Sequence, residues 1–164
     1  MKTIYLVRHA SAGWNNSKRT DFERTLTEQG RFDAAEMAAR LLENGGKPEI
    51  VISSPAVRTL ETAEIFGEIL GYGMERVREE HTIYSGDVDA LAGIFTRLPQ
   101  ECREAMLFGH NPTISLFASW LSGKQFGQMD TCGILRLDLP AESWSDAKGG
   151  AAETAWYMYP KRHQ

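Results

Sequence analysis

The sequence predicts an α/β fold: a three-layer α/β/α sandwich with a mostly parallel central sheet. One observation is that short, wholly apolar segments alternate along the chain with longer segments of helical periodicity. These short segments are rich in β-branched residues, as buried parallel strands are. Near the C-terminus, alternating polar and apolar residues replace such runs, which predicts an antiparallel strand pair there.

The strands are predicted from apolar runs and, at the end of the chain, from alternation and aromatic content. They are Thr3–Val7, Ile50–Ile52, Ala105–Phe108, Ile134–Leu139 and Ala155–Tyr159. The stretch 141–152, rich in Gly, Ala and Ser, lies between the last two strands and is interpreted as a loop rather than a domain boundary.

Four helices are predicted between the strands: Glu28–Leu42, Ala56–Leu70, Asp87–Leu98 and Thr113–Leu121. Thr27 has the position and side chain of an N-cap for the first helix. Ser54 and Pro55 are expected to open the second, as its N-cap and its first residue.

Length and charge limit the function classes. A chain of 164 residues with a net charge of −4 predicts a single domain over 1–164, frayed at 160–164, and does not favour nucleic-acid binding. Cys102 and Cys132 form no disulfide framework and no zinc pattern. The apolar run Ile4–Val7 is too short for a signal peptide, and no run approaches the roughly 20 residues that span a bilayer. A cytoplasmic protein without membrane contact is expected.

Basic side chains follow the three predicted parallel strands. Arg8 and His9 come after the first strand, Arg58 after the second and His110 after the third. The carboxyl ends of parallel strands meet at one edge, where helix N-termini also favour anions. Each residue alone has an ordinary structural explanation, but their convergence predicts a site for phosphate, in which inorganic phosphate or sulfate would also bind.

In their order and spacing these residues resemble the histidine phosphatase superfamily, also called phosphoglycerate-mutase-like. Leu6–Ala10 reads LVRHA where the family has Arg-His-Gly, and Ser53–Ala63 matches Ser-Ser-Pro-x-x-Arg-x-x-x-Thr-Ala. Gly109–Pro112 is the third motif, Gly-His-Asn-Pro. The small size and the segment Arg24–Gly30, an Arg-x-Leu-Thr-x-x-Gly motif, look most like the SixA branch, the phosphohistidine phosphatases.

The resemblance implies a phosphoglycerate-mutase-like fold and a role for each motif residue. His9 would be the nucleophile, kept neutral by nearby cations, and would form a phosphohistidine. Arg8, Arg58 and a protonated His110 would bind the phosphate oxygens, with Asn15 as a further donor. The family mechanism needs no metal and no cofactor.

The sequence departs from the family pattern at two points. Ala10 replaces the glycine of the first motif, which predicts an ordinary backbone conformation there. The family's general acid has no clear counterpart: Glu80 is nearest, but its aromatic partner stands four residues on instead of three. The alternatives Glu79, His81 and Asp87 stay open.

The lack of a clear general acid bears on which class of substrate the protein hydrolyses. An alkoxide leaving group, with a conjugate-acid pKa of about 15, needs a proton as the bond breaks, whereas imidazole, at about 6.5, needs little help. A metal-independent phosphatase acting on phosphohistidine in a signalling or phosphorelay protein is therefore expected. The alternatives are a phosphatase of small phosphate esters and a phosphate-binding or phosphoprotein-binding module without catalysis.

Overall fold

A computed structural model describes residues 1–14 and 20–161 of the chain. Its sheet contains six strands: β1 (Lys2–Arg8), β2 (Ile50–Ser53), β3 (Val77–Glu79), β4 (Glu104–Gly109), β5 (Ile134–Leu139) and β6 (Glu153–Met158). Their order across the sheet is β3-β2-β4-β1-β5-β6. Neighbours among the first four are parallel, while β5 runs antiparallel to β1 and to β6. The predicted mixed sheet is thus confirmed.

The helices are α1 (Glu28–Glu43), α2 (Val57–Leu70), α3 (His81–Ser85), α4 (Val88–Thr96) and α5 (Thr113–Ser122). Thr27 caps α1 as predicted, since its side chain accepts from the N–H of Gly30. The predicted start of α2 is wrong, because Ala56 is the N-cap and no side chain caps this helix. In the described part of the chain, no helix is long and apolar enough to cross a bilayer.

Apolar side chains cover both faces of the sheet, which confirms the three layers. Along β1, Tyr5 and Val7 join the cluster under α1 and α2, whereas Ile4 and Leu6 join the cluster under α4 and α5. A strand buried on both faces reads as a continuous apolar run, which is why β1 is recognisable from sequence.

The predicted loop 141–152 contains a 3-10 turn, Trp144–Asp146, whose first residue belongs to the core. Trp144 is buried against Phe95, and its indole N–H donates to the carbonyl of Cys102 at 2.8 Å. The last strand begins at Glu153, two residues earlier than predicted. The short elements β3 and α3 were not predicted, since neither is long enough to show a period.

Candidate active site

A pocket of about 610 Å³ opens at the carboxyl ends of the parallel strands. Four of the residues predicted for the site line it together: Arg8, His9, Arg58 and His110. Its other lining residues include Asp21, Arg24 and Tyr84, to which the sequence analysis gave no role.

His9 follows the last residue of β1, and its backbone is held on both sides. Its N–H donates to the carbonyl of Gly109 at 3.1 Å, and its carbonyl accepts from Cys132 at 3.0 Å. The ring nitrogen Nδ1 lies 2.7 Å from the carbonyl oxygen of Ala10. Because a carbonyl can only accept, Nδ1 carries the proton and Nε2 holds the lone pair. The Nε of Arg58 points at that lone pair from 3.4 Å.

The imidazole of His9 is neutral at physiological pH. Burial, assisted by the positive charges of His110, Arg58 and Arg8, lowers its pKa to about 3. The sequence predicted that cations would keep this ring neutral. In the structure, desolvation of the ring lowers its pKa more than the neighbouring cations do.

Arg58 lies in the first turn of α2 and is buried. Its Nη1 donates to the main-chain oxygen of Asp21 at 2.7 Å, and its Nη2 donates to the Oδ2 of Asp21 at 3.1 Å. Glu61, one turn further along the same helix, pairs with Arg31 at 2.5 Å. Three points therefore fix the guanidinium beside His9.

Asp21 begins a 3-10 turn, Asp21–Glu23, that follows the undescribed segment 15–19. Burial alone would raise its pKa. The hydroxyl of Tyr84 at 2.8 Å, the charge of Arg58 and the guanidinium of Arg24 at 3.2 Å outweigh that effect and lower it. Asp21 is thus a carboxylate at neutral pH, clamped by three donors.

Arg8 ends β1 beside His9. Its Nη1 donates to the carbonyl of Met129 at 2.9 Å, and Asn111 donates to the same oxygen at 3.0 Å. Ser115 ties this corner together by bonding both Asn111 and the N–H of Met129. The Nε of Arg8 is buried and finds no hydrogen-bond partner among residues 1–14 and 20–161.

His110 follows β4, with its ring centre 5.3 Å from that of His9. Its Nε2 lies 2.8 Å from the hydroxyl of Ser54, the residue that sequence reasoning placed at the N-cap of α2. Burial, followed by the charge of Arg58, lowers the pKa of His110 to about 4. Protonation of His110 at neutral pH, as the resemblance implies, therefore requires the negative charge of a bound anion.

Glu80, the expected general acid, does not line this pocket. It directly precedes α3 and borders a separate cavity of about 200 Å³ with two arginines. Of its rivals, Glu79 and His81 are exposed, and Asp87 caps α4 by accepting from a backbone N–H at 3.2 Å. Asn15, the expected further donor, lies outside the described residues.

The segment Arg24–Gly30 brings Arg24 to the pocket and lets α1 pack closely behind it. The three guanidinium nitrogens of Arg24 donate to Asp21 and to the carbonyls of Ala12 and Gly13. A Cβ at Gly30 would collide with the carbonyl oxygen of Ser11, so glycine permits the close approach of α1. This motif was the available signal for Arg24, although it gave no role.

Ala10 sits behind His9 with an ordinary backbone, as predicted. Among the non-glycine residues that the structure describes, only Cys132 has a positive φ. Ala10 is fully buried, and its N–H donates to the hydroxyl of Thr62 at 3.1 Å. No three His, Cys, Asp or Glu side chains within 1–14 and 20–161 are placed to hold a metal ion.

Comparison with known families matches residues 4–92, more than half of the chain, to the histidine phosphatase superfamily (branch 1). A curated relative is an uncharacterized chloroplastic protein of Arabidopsis thaliana. It is 28% identical over 165 residues, which cover 96% of this chain and 75% of that protein.

Solved structures share the fold over almost the full length. The protein histidine phosphatase SixA complexed with tungstate superposes with a TM-score of 0.85 at 22% identity, over 99% of both chains. A mycobacterial glucosyl-3-phosphoglycerate phosphatase superposes with a TM-score of 0.67 at 15% identity, over 98% of this chain and 97% of that chain.

Proposed function

Because the chain belongs to the histidine phosphatase superfamily, we propose that it is a phosphohistidine phosphatase. Its substrate is a phosphorylated histidine of a signalling or phosphorelay protein, and a phosphohistidine on His9 is the intermediate. Support for the nucleophile comes from the geometry of His9, whose Nδ1 is bound to Ala10 while Nε2 is left with a lone pair at the pocket.

In the first step Nε2 of His9 attacks phosphorus. The P–N bond of the substrate breaks, and its electron pair goes to the substrate ring nitrogen. If the other nitrogen of that ring already carries a proton, the ring leaves as neutral imidazole. Arg8 and Arg58 oppose the charge on the phosphoryl oxygens, and His110 becomes a further donor once the phosphate raises its pKa.

In the second step water attacks the phosphorus on His9. The P–Nε2 bond breaks, its electron pair returns to Nε2, and the proton of the water passes to phosphate or solvent. His9 is then again neutral, with its proton on Nδ1, and inorganic phosphate leaves. The bond from Nδ1 to the carbonyl of Ala10 holds the ring in the same tautomer throughout.

The observation that carries the substrate class is the state of the carboxyl groups at the pocket. Asp21 is the one carboxyl among its described lining residues, and its lowered pKa leaves it without a proton to donate. The undescribed segments 15–19 and 162–164 contain no Asp or Glu in the sequence. An alkoxide would thus leave without help, whereas imidazole needs almost none.

The test is hydrolysis of a phosphohistidine peptide, p-nitrophenyl phosphate and a sugar phosphate, with a chelator present throughout. We expect a strong preference for phosphohistidine in the wild type and in the control variant Glu80→Gln. In Asp21→Asn we expect all three substrates to slow by similar factors, because Asp21 holds Arg58 and supplies no proton. A preference for esters that Glu80→Gln abolishes contradicts the proposal and supports an ester phosphatase.

The third possibility, a phosphate-binding module without catalysis, is separated by the same experiment. It predicts that tungstate binds to the protein while none of the three substrates turns over. The lone pair on Nε2 of His9 argues against it, because a module that only binds phosphate gains nothing from a neutral acceptor nitrogen at the pocket.

A further inference from the structure

Beyond the phosphate-binding residues, the pocket has an aromatic wall. Tyr84 lies at its mouth, 38% exposed, with its ring centre 5.6 Å from that of His110. Phe22 stands edge to face with Tyr84, at 5.2 Å between centres and 87° between planes. The hydroxyl of Tyr84 bonds to Asp21 at 2.8 Å, so its ring cannot turn away without breaking that bond.

One 3-10 turn organises this wall. Asp21 and Phe22 are successive residues of that turn: the first holds Arg58 and the hydroxyl of Tyr84, and the second backs the ring of Tyr84. The phosphate-binding guanidinium and the aromatic wall are therefore held in a fixed relation by two neighbouring residues.

The described cations near this wall are already engaged. All three guanidinium nitrogens of Arg24 donate to protein oxygens, and its carbon lies 4.1 Å from the ring centre of Trp14. Two nitrogens of Arg58 donate to Asp21. Among the described residues, the guanidiniums beside this wall, Arg24 and Arg58, already donate to protein oxygens, so the wall offers a leaving group chiefly an aromatic surface.

We propose that Tyr84 and Phe22 form a leaving-group subsite that takes a flat imidazole ring. This inference rests on the proposed function and deepens it, because it names the part of the protein that recognises the group bound to phosphorus. Aromatic rings associate edge to face or offset at 4.5–7 Å between centres, and Tyr84 already makes two such contacts. Its exposed surface leaves room for a third ring.

The test compares two substrates that share a P–N bond and differ in the ring. These are N-phosphoimidazole and phosphoramidate, and the measured quantity is the ratio of their kcat/KM values. Tyr84→Phe removes the hydroxyl and keeps the ring, whereas Tyr84→Leu removes both. We expect the ratio to stay at its wild-type value in Tyr84→Phe and to fall about 2- to 12-fold in Tyr84→Leu, the size of one aromatic contact.

A second measurement needs no turnover. Binding of imidazole to protein saturated with tungstate is followed by calorimetry, and we expect it to weaken in Tyr84→Leu and in Phe22→Leu. An unchanged substrate ratio together with unchanged imidazole binding overturns the subsite. If the wild type does not hydrolyse a phosphohistidine peptide but imidazole binding still depends on Tyr84, then the proposed function fails and the subsite stands.

Discussion

The two ends of β1 each carry a cation, buried at Lys2 and half-buried at Arg8, and the hydrogen bonds of the two cations differ. At the first residue of the strand, the Nζ of Lys2 donates to the carbonyls of Gln100 at 2.5 Å and Cys102 at 2.8 Å, and it lies over the ring of Trp144. At the last residue, the Nε of Arg8 has no partner within the described residues. At the Lys2 end the cation donates to carbonyls of the protein, whereas at the Arg8 end one donor has no partner in the described protein.

The same contrast holds for the ring nitrogens. The indole N–H of Trp144 is bonded to Cys102, whereas the Nδ1 of His110 is buried without a partner in the described chain. A buried unsatisfied polar group costs about 1–3 kcal/mol, so a fold keeps few of them. Both unsatisfied groups, the Nε of Arg8 and the Nδ1 of His110, lie at the pocket end of the sheet, beside the two neutral imidazoles. The pocket end is therefore the region arranged to bind a ligand, whereas the opposite end stabilises the fold.

The largest expected effect tests the pocket end directly. We expect His9→Ala to reduce turnover by about 10⁴-fold or more, because it removes the proposed nucleophile and no described neighbour replaces Nε2. Tungstate binding should weaken by less than about tenfold, since Arg8 and Arg58 remain. Rates come from phosphohistidine hydrolysis and affinities from calorimetry. Turnover equal to that of the wild type would remove the proposed mechanism.

The next effect compares the two cations of β1. We expect Arg8→Met to lower kcat/KM by about 10²–10³-fold, because a donor to the phosphoryl oxygens is lost. Its free energy of unfolding should change by less than about 1 kcal/mol, since the substitution removes a buried donor that has no described partner as well as one bond to Met129.

Lys2→Met is the matched variant at the other end of the strand. We expect it to lower the free energy of unfolding by about 1–3 kcal/mol, because two buried carbonyls lose a charged donor, and to leave kcat/KM within about twofold. Urea unfolding and steady-state kinetics on both variants check the pair. If Lys2→Met lost as much activity as Arg8→Met, the division between the two ends would be wrong.

A fall in pH should lower the stability of the protein mainly through the two histidines at the pocket. The pKa values of His9 and His110 are about 3 and about 4, against about 6.5 in an unfolded chain. Between those values the unfolded chain binds more protons than the folded protein, so stability falls as the pH falls from about 6.5 towards 4 and is fully present above about 7.

His9 alone should account for about 3 kcal/mol of that acid loss between pH 7 and pH 4. Urea unfolding at both pH values measures it, with His9→Ala expected to lose less stability than the wild type by this amount. Lys2→Met should lose as much as the wild type, because it leaves both imidazoles in place. An equal loss in all three proteins would mean that the acid effect arises elsewhere.

The sequence predicted the part of the site that strands and their ends determine. Arg8, His9 and His110 directly follow or end apolar strands, so the position of each was set by a recognisable element. Arg58 is near enough to β2, in the first turn of α2, for the same argument to hold. The three layers of the fold followed from the same alternation of strands and helices.

The pocket residues that the sequence did not predict lie on short elements. Asp21 stands on a single 3-10 turn and Tyr84 on the five-residue α3, and neither element has a period that a sequence pattern could show. Glu80 was placed by analogy of spacing. Its backbone N–H bonds to the carbonyl of Ser53, and α3 begins after it, so that Tyr84 and not Glu80 lines the pocket.

The smallest effect concerns Ala10, where this chain departs from the family's glycine. Gly at this position keeps the backbone bonds to Thr62 and to Nδ1 of His9, because both use main-chain atoms. It loses a buried methyl group and adds freedom to the unfolded chain, so we expect Ala10→Gly to lower the free energy of unfolding by about 1–2 kcal/mol. Turnover should change by less than about threefold. A large gain in turnover would instead show that the methyl group of Ala10 restricts the access of phosphate to the pocket. Ala10 would then stabilise the fold at the expense of activity.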